Sequence, residues 1–175
     1  HLSYVDILVL ASLTGAVFVS KKEVRRWPGI GWVAYVYNSI FLDRENKQDL
    51  SRVTALIDKS MRRTRAVVVF PEGTSSDGQS VLAFYSPLFE WPAQQTYPVH
   101  TASFSYHSHD PQLPAREAMC WWGDMAFIPH FKNLSLLRRP EVHIHFAKQT
   151  VSADHRKILA KHAQQSVEQH FEKSQ

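Results

Sequence analysis

The period of the apolar positions changes several times along the chain. From Val5 to Leu13 nearly every residue is apolar, which predicts a buried helix ended by Gly15. Ala16-Val17-Phe18-Val19 predicts a short strand. The basic residues Lys21, Lys22, Arg25 and Arg26 follow on a helix interrupted near Pro28-Gly29. Trp32 to Tyr37 is apolar and aromatic and leads into a strand, Ser39-Ile40-Phe41-Leu42, which delivers Arg44. From Glu45 to Thr64, Leu50, Val53, Leu56, Ile57 and Met61 recur at helical spacing and form a core-facing stripe. Arg62, Arg63 and Arg65 at the end of that helix suit its dipole. A β-branched run from Ala66 to Phe70 predicts a buried strand, cut off by Pro71-Glu72-Gly73.

Beyond this corner, Ser75 to Gly78 reads as a loop. Phe84, Tyr85, Pro87, Leu88, Phe89, Trp91 and Pro92 form a dense apolar stretch with two readings. It is either a patch that dips into a membrane interface or a cover packed over the interior. Thr96 to His107 predicts one strand or two, Glu117 to Trp122 another, and Gly123 to Arg139 a loop with a short helix. Val142, Ile144 and Phe146 alternate with His143 and His145, as in a half-buried strand. His143-x-His145 has metal-ligand spacing but no accompanying Cys or carboxylate cluster, so exposed strand histidines are the simpler reading. A capped helix from Ser152 places Leu159, Ala163, Val167 and Phe171 on one face. Strands alternating with helices predict an α/β fold, a mixed central sheet flanked by helices, in one domain over residues 1–175.

Composition narrows the picture modestly. A chain of 175 residues that is 44% hydrophobic can bury a core and is not disordered. A formal charge of +4 and a pI near 9.3 suit an anionic partner such as acidic lipid, nucleic acid or a phosphorylated cofactor, but no nucleic-acid motif is present. Cys120 is the sole cysteine, so no internal disulfide forms and a reducing compartment is favoured. Its neighbours Met119, Trp121 and Trp122 mark it as a buried, inert thiol. No apolar run of about twenty residues predicts a membrane-crossing helix. A chain that opens on histidine is expected to be part of a longer protein, with a possible membrane anchor upstream.

Candidate chemistry concentrates at two places. His1 and Asp6 are five positions apart. On one helix they would point about 140° apart. They can meet only if His1 precedes the helix and Asp6 lies in its first turn, which Ser3 as N-cap allows. An imidazole whose second nitrogen is held by a carboxylate can take a proton from a hydroxyl. Ser3-x-x-Asp6 read alone is equally a capping box. The second place is Phe70-Pro71-Glu72-Gly73-Thr74, at the exit of a strand, where α/β folds collect their sites. Gly73-Thr74-Ser75-Ser76-Asp77 lacks the second glycine of a hydrolase nucleophile elbow.

Together these stretches resemble the glycerolipid acyltransferase family, typified by 1-acylglycerol-3-phosphate acyltransferase. His1 and Asp6 match its first block, His-x-x-x-x-Asp, and Phe70, Pro71, Glu72, Gly73, Thr74 and Ser76 match its third, Phe-Pro-Glu-Gly-Thr-Arg-Ser. Residues 38–44 match the second block in part, and Tyr97-Pro98-Val99 is similar to the weak fourth.

The resemblance implies an O-acyltransferase that moves an acyl group from acyl-CoA or acyl-carrier protein to a lysolipid hydroxyl. His1 would be the general base and Asp6 its orienter. Arg44 and Glu72 would position the acceptor, with Phe70, Pro71, Gly73, Thr74 and Ser76 shaping that site. Backbone N–H groups near Gly73 would hold the oxyanion, and Lys21 or Lys22 would face the site unless the basic run is only a solvated face. No metal and no cofactor beyond the acyl donor are implied. The partners are a lysolipid, an acyl thioester and a membrane surface on the cytoplasmic side, with no nucleic acid.

Three departures matter. Ser75 stands where the third block has arginine, Asn38 where the second has glycine, and Phe84-Tyr85 where many members have a basic residue after phenylalanine. Fewer cations for an acceptor phosphate favour another headgroup, such as that of a lyso-ornithine lipid. A non-catalytic membrane-surface lipid-binding module is the alternative of another class.

Overall fold

The computed structural model describes residues 1–27, 29–43, 45–46, 48–64 and 66–175, and the side chains of all these except residues 33 and 64. Helix α1 (Tyr4–Thr14) starts at Ser3, which caps it with a reciprocal bond from Asp6, and stops at Gly15 in the left-handed conformation at φ 60°. Strand β1 (Val17–Lys21) follows, then a 3-10 turn (Lys22–Arg26), α2 (Ile30–Val36), β2 (Ile40–Leu42), α3 (Asp49–Thr64) and β3 (Val67–Val69). A second 3-10 turn (Ser86–Phe89), α4 (Glu90–Gln94), β4 (Ala102–Ser108), α5 (Ala115–Ala118), α6 (Phe127–Leu136), β5 (Pro140–Phe146) and α7 (Arg156–Glu168) complete the chain.

The α/β class holds, with parallel and antiparallel pairing in separate ladders. One sheet is parallel in the order β2-β1-β3, with Val19 opposite Ile40 on one side and Val69 on the other. The other is an antiparallel pair, β4-β5. Strand alternation divides the interior. Val17, Val19, Ile40 and Leu42 face one cluster with Val53 and Ile57 of α3 and Leu159 and Ala163 of α7. Phe18 faces another, with Leu10 of α1, Tyr106 of β4 and Ala115 and Met119 at α5. This burial on both faces is what parallel strands require. β3 is only half-buried, although its sequence reads as a fully buried strand, because residues 67–69 also line an open cavity.

Two local expectations fail. Glu117 to Trp122 is not a strand: α5 ends at Ala118, and the residues after it form no strand. Pro114 at the helix start and the fully buried Ala115 and Ala118 explain this, since a short apolar run does not by itself distinguish a packed helix from a strand. Ser152 does not cap the last helix, which begins at Arg156 with no side-chain cap at His155. Of Thr96 to His107, only the part from Ala102 is regular strand, while Val99 makes an isolated bridge to Val151.

Candidate active site

The local rules at the start of the chain place the imidazole. Ser3 turns the backbone into α1, so His1 lies outside the helix and Asp6 in its first turn. His1 Nδ1 lies 2.7 Å from Asp6 Oδ2. The same oxygen accepts the N–H groups of Leu2 at 2.7 Å and Ser3 at 3.3 Å. The other carboxylate oxygen accepts the hydroxyl of Tyr106, from the middle of β4. Asp6 and Tyr106 are both 0% exposed. Burial pushes the Asp6 pKa up, against the pull of these hydrogen bonds. Burial, followed by the adjacent Asp6 charge, holds Tyr106 well above the usual phenol range, so it stays a donor. With Nδ1–H donated to Asp6, the lone pair of His1 is on Nε2, which has no partner among the described residues. The ring stacks on Phe70, centroids 3.9 Å apart.

The strand-exit corner grips the backbone of the same histidine. Glu72 Oε1 accepts an N–H of the His1 backbone nitrogen at 2.6 Å, a bond that an amine or an amide there can donate. Glu72 Oε2 accepts the N–H of Leu82 at 3.0 Å. The carbonyl of His1 accepts the N–H of Ser76 at 2.9 Å, and the buried Ser76 hydroxyl accepts Gly78 N–H at 3.4 Å. Gly73 sits at φ 70°, where a side chain would be strained, and donates its N–H to the Phe70 carbonyl at 3.0 Å. The next N–H groups, of Thr74 and Ser75, have no acceptor among the described residues. Thr74 is exposed, and the Pro71 carbonyl accepts the N–H of Tyr85 at 2.7 Å.

His1, Phe70, Pro71, Glu72 and Ser76 line one end of a cavity of about 450 Å³. That volume lies in the range of small-ligand sites. The remaining wall is mostly hydrocarbon, from β3, residues 101–104, α7 and the segment around α4. Leu88, Phe89 and Trp91 are buried there, so of the two readings of the 84–92 stretch the structure takes the interior cover.

Several sequence candidates lie elsewhere. Arg44 falls outside the described residues. Lys22 is exposed and pairs with Asp43 at 2.7 Å. Ser75 donates its hydroxyl to the carbonyl of Trp121 and so pins the loop. Asn38 has φ 49°, the left-handed region that glycine favours and asparagine tolerates, which explains how it replaces the glycine of the second block. His143 pairs with Glu141 and His145 stacks on His170. Cys120 is buried, and burial pushes its thiol up to about 12. Tyr106 was missed, because no local signal links it to a carboxylate one hundred positions away.

Comparison with known proteins gives the family and the fold. The family model described as Acyltransferase matches residues 1–105, and the chain belongs to that family. The chain is 34% identical over 158 residues to a lyso-ornithine lipid O-acyltransferase of Rhizobium meliloti, covering 85% of this chain and 54% of the relative. It is 31% identical over 171 residues to a protein of the same name from Pseudomonas aeruginosa, covering 95% and 64%. It thus spans less than two thirds of the length of either. Its fold is similar to the crystal structure of the 1-acyl-sn-glycerophosphate acyltransferase PlsC from Thermotoga maritima, with a TM-score of 0.61 and 19% identity over 98% of this chain and 62% of that one.

Proposed function

We propose that this chain transfers a fatty acyl group from an acyl thioester, acyl-CoA or acyl-carrier protein, to the hydroxyl of a lysolipid. The observation that carries the reading is His1, held 2.7 Å from a fully buried carboxylate, at the polar end of an apolar cavity. His1 Nε2 takes the acceptor hydroxyl proton as the oxygen attacks the thioester carbonyl. Asp6 holds the tautomer and stabilises the imidazolium. The imidazolium then returns the proton to the departing thiolate. The thioester is already reactive, so no covalent enzyme intermediate is required. Gly73 N–H is engaged with Phe70, so the oxyanion falls to the free N–H groups that follow it in the loop. Glu72 acts as a positioning residue for His1, since both its oxygens are spent on backbone N–H groups. Arg44 keeps the headgroup role that the family resemblance assigns it.

The acceptor is a lysolipid whose headgroup is not a bare phosphate, a lyso-ornithine lipid being the leading case. Ser75 in place of the arginine of the third block supports this, as do the names of the relatives at 34% and 31% identity. The reaction belongs to a membrane surface on the cytoplasmic side. No helix among the described residues is long and apolar enough to cross a membrane.

The test is an acyl-CoA assay of wild type and His1→Ala on a panel of lysolipids. The expected result is acyl transfer by wild type, a loss of about 10²–10⁴-fold in the variant, and turnover of lyso-ornithine lipid at least equal to that of lysophosphatidate. Undiminished transfer by His1→Ala would sink the mechanism. Turnover of lysophosphatidate alone would sink the acceptor assignment, and acyl-CoA loss without an acceptor would indicate a thioesterase instead.

A further inference from the structure

We infer that the outer face of α2, with the basic turn before it, is the surface by which this protein sits on an anionic lipid bilayer. The inference rests on the reading that the acceptor is a membrane lysolipid. Every position of α2, Ile30–Val36, is apolar, aromatic or glycine. A helix apolar on all sides ordinarily lies inside a protein. Here, among the described side chains, one side does: Ile30 and Ala34 pack with Val24 around Tyr4. Trp32, Tyr35 and Val36, three and four residues apart, share the opposite side and are 71%, 72% and 50% exposed. Tryptophan and tyrosine are the residue types that settle at a membrane–water boundary.

Charge selects the occupant. Residues 21–26 carry Lys21, Lys22, Arg25 and Arg26 against a single carboxylate, Glu23. Arg25 and Arg26 are exposed and make no ion pair or side-chain hydrogen bond among the described residues. The turn and α2 are packed backbone to backbone: a Cβ on Gly31 would lie only 2.4 Å from the Arg25 carbonyl oxygen. Gly31 also donates its N–H to the Trp27 carbonyl at 2.9 Å. Arginines and aromatics are therefore presented together, as for an anionic headgroup layer above an acyl boundary. A second copy docked by two-fold symmetry on this face would bring the arginines of both copies into the same interface.

The apolar surface extends beyond α2. Trp27 meets Trp121 edge-on at 4.9 Å, Trp121 meets Phe127, and Phe127 stacks on Phe131 at 5.9 Å. Ile128 and Phe131 of α6 project outward beside this ladder. Tyr4, at the base of the patch, lies two residues before Asp6 on the helix that carries the catalytic carboxylate. A bilayer under this face is thus joined to the histidine corner through one packed turn.

Vesicle sedimentation tests this with phosphatidylcholine vesicles, with and without phosphatidylglycerol. The variants are Trp32→Ser/Tyr35→Ser and Arg25→Glu/Arg26→Glu. Wild type should bind the anionic vesicles more tightly. The aromatic pair should lower partitioning about tenfold, and the arginine pair about fivefold per residue with loss of salt sensitivity. Lipids brominated in the acyl chain should quench wild-type tryptophan fluorescence more than that of Trp32→Phe. All variants should keep acyl transfer to a short-chain, water-soluble lysolipid, which also shows that they are folded. Equal vesicle binding by wild type and both pairs, equal binding to neutral and anionic vesicles, or a patch variant that changes only the oligomeric mass would each overturn the docking face. Failure of wild type on the short-chain acceptor would instead overturn the acyl-transfer reading and leave the vesicle result standing.

Discussion

The two ends of the cavity beside His1 are built by opposite rules. At the histidine end both carboxylates and the histidine backbone are held by partners, while His1 Nε2 and the Thr74 and Ser75 N–H groups are left open among the described residues. Asp6 alone receives His1, two backbone N–H groups and Tyr106, while Glu72 and Ser76 hold the histidine backbone from both sides. Along the rest of the wall, Ile57, Val67, Leu88, Phe89 and Val167 offer only hydrocarbon. The first region fixes one atom in one place through directional bonds. The second excludes water without specifying a position, as suits a flexible acyl chain whose burial is worth about 0.8 kcal/mol per methylene. A polar corner is intolerant of change and an apolar wall is tunable, and that contrast can be tested directly.

The largest effect is expected from Asp6→Asn. It leaves the shape intact but removes the charge that holds the tautomer, so kcat should fall by about 10²–10⁴-fold. Stability should move the other way. Burial raises the Asp6 pKa in the folded state, so the folded protein favours the protonated carboxyl. Stability contributed by that preference is present below the ordinary carboxylate range and is lost as pH rises through the raised value. Asp6→Asn should therefore melt at or above the wild-type temperature at neutral pH. Thermal melts should show that advantage shrinking as pH falls toward about 4. A variant that is less stable than wild type at neutral pH, with the gap unchanged in acid, would show that the corner is held by its hydrogen bonds rather than strained by its charge.

A change at the apolar end should alter selectivity and spare the chemistry. Val67 begins β3 and lies about 10 Å along the strand from Phe70, at a rise near 3.3 Å per residue. Val67→Phe should move preference toward shorter acyl-CoA donors in a chain-length competition, with kcat on the shortest donor nearly unchanged. A uniform loss across all donors would mean that the two ends are mechanically coupled.

Back at the polar end, an effect smaller than that of Asp6→Asn is expected at Tyr106→Phe. It deletes one hydrogen bond to the carboxylate while His1 stays in place. A loss of about tenfold in kcat, with KM unchanged and the acid limb of the pH–rate profile displaced, is the expected outcome, about 1.4 kcal/mol in the transition state. A drop in melting temperature with an unmoved pH profile would make Tyr106 a packing residue only.

Much of the site was legible because its signals are local. Ser3 before an apolar run places a helix start. The five-residue spacing then lets His1 and Asp6 meet, and Pro71-Glu72-Gly73 after a β-branched run marks a strand exit. The interfacial role offered for the 84–92 stretch was misplaced for the opposite reason. Aromatic density shows only that large apolar surface is present, and it was the packing of α4 against the core that buried Leu88, Phe89 and Trp91. The exposed aromatic face appeared instead on α2, where the sequence has only an unbroken apolar run with no polar side to mark.

By itself, then, the sequence determined the histidine–aspartate geometry, the sharp loop that receives it and the helix cap between its members. Those depend on backbone sterics and hydrogen bonds across a few residues. Only the tertiary structure decided that Tyr106 closes the carboxylate's second oxygen, that a gap beside β3 becomes an acyl-sized cavity, and which side of α2 meets solvent. Each of these is set by how distant elements pack, and no spacing along the chain encodes the distance between a residue near position 6 and one near position 106.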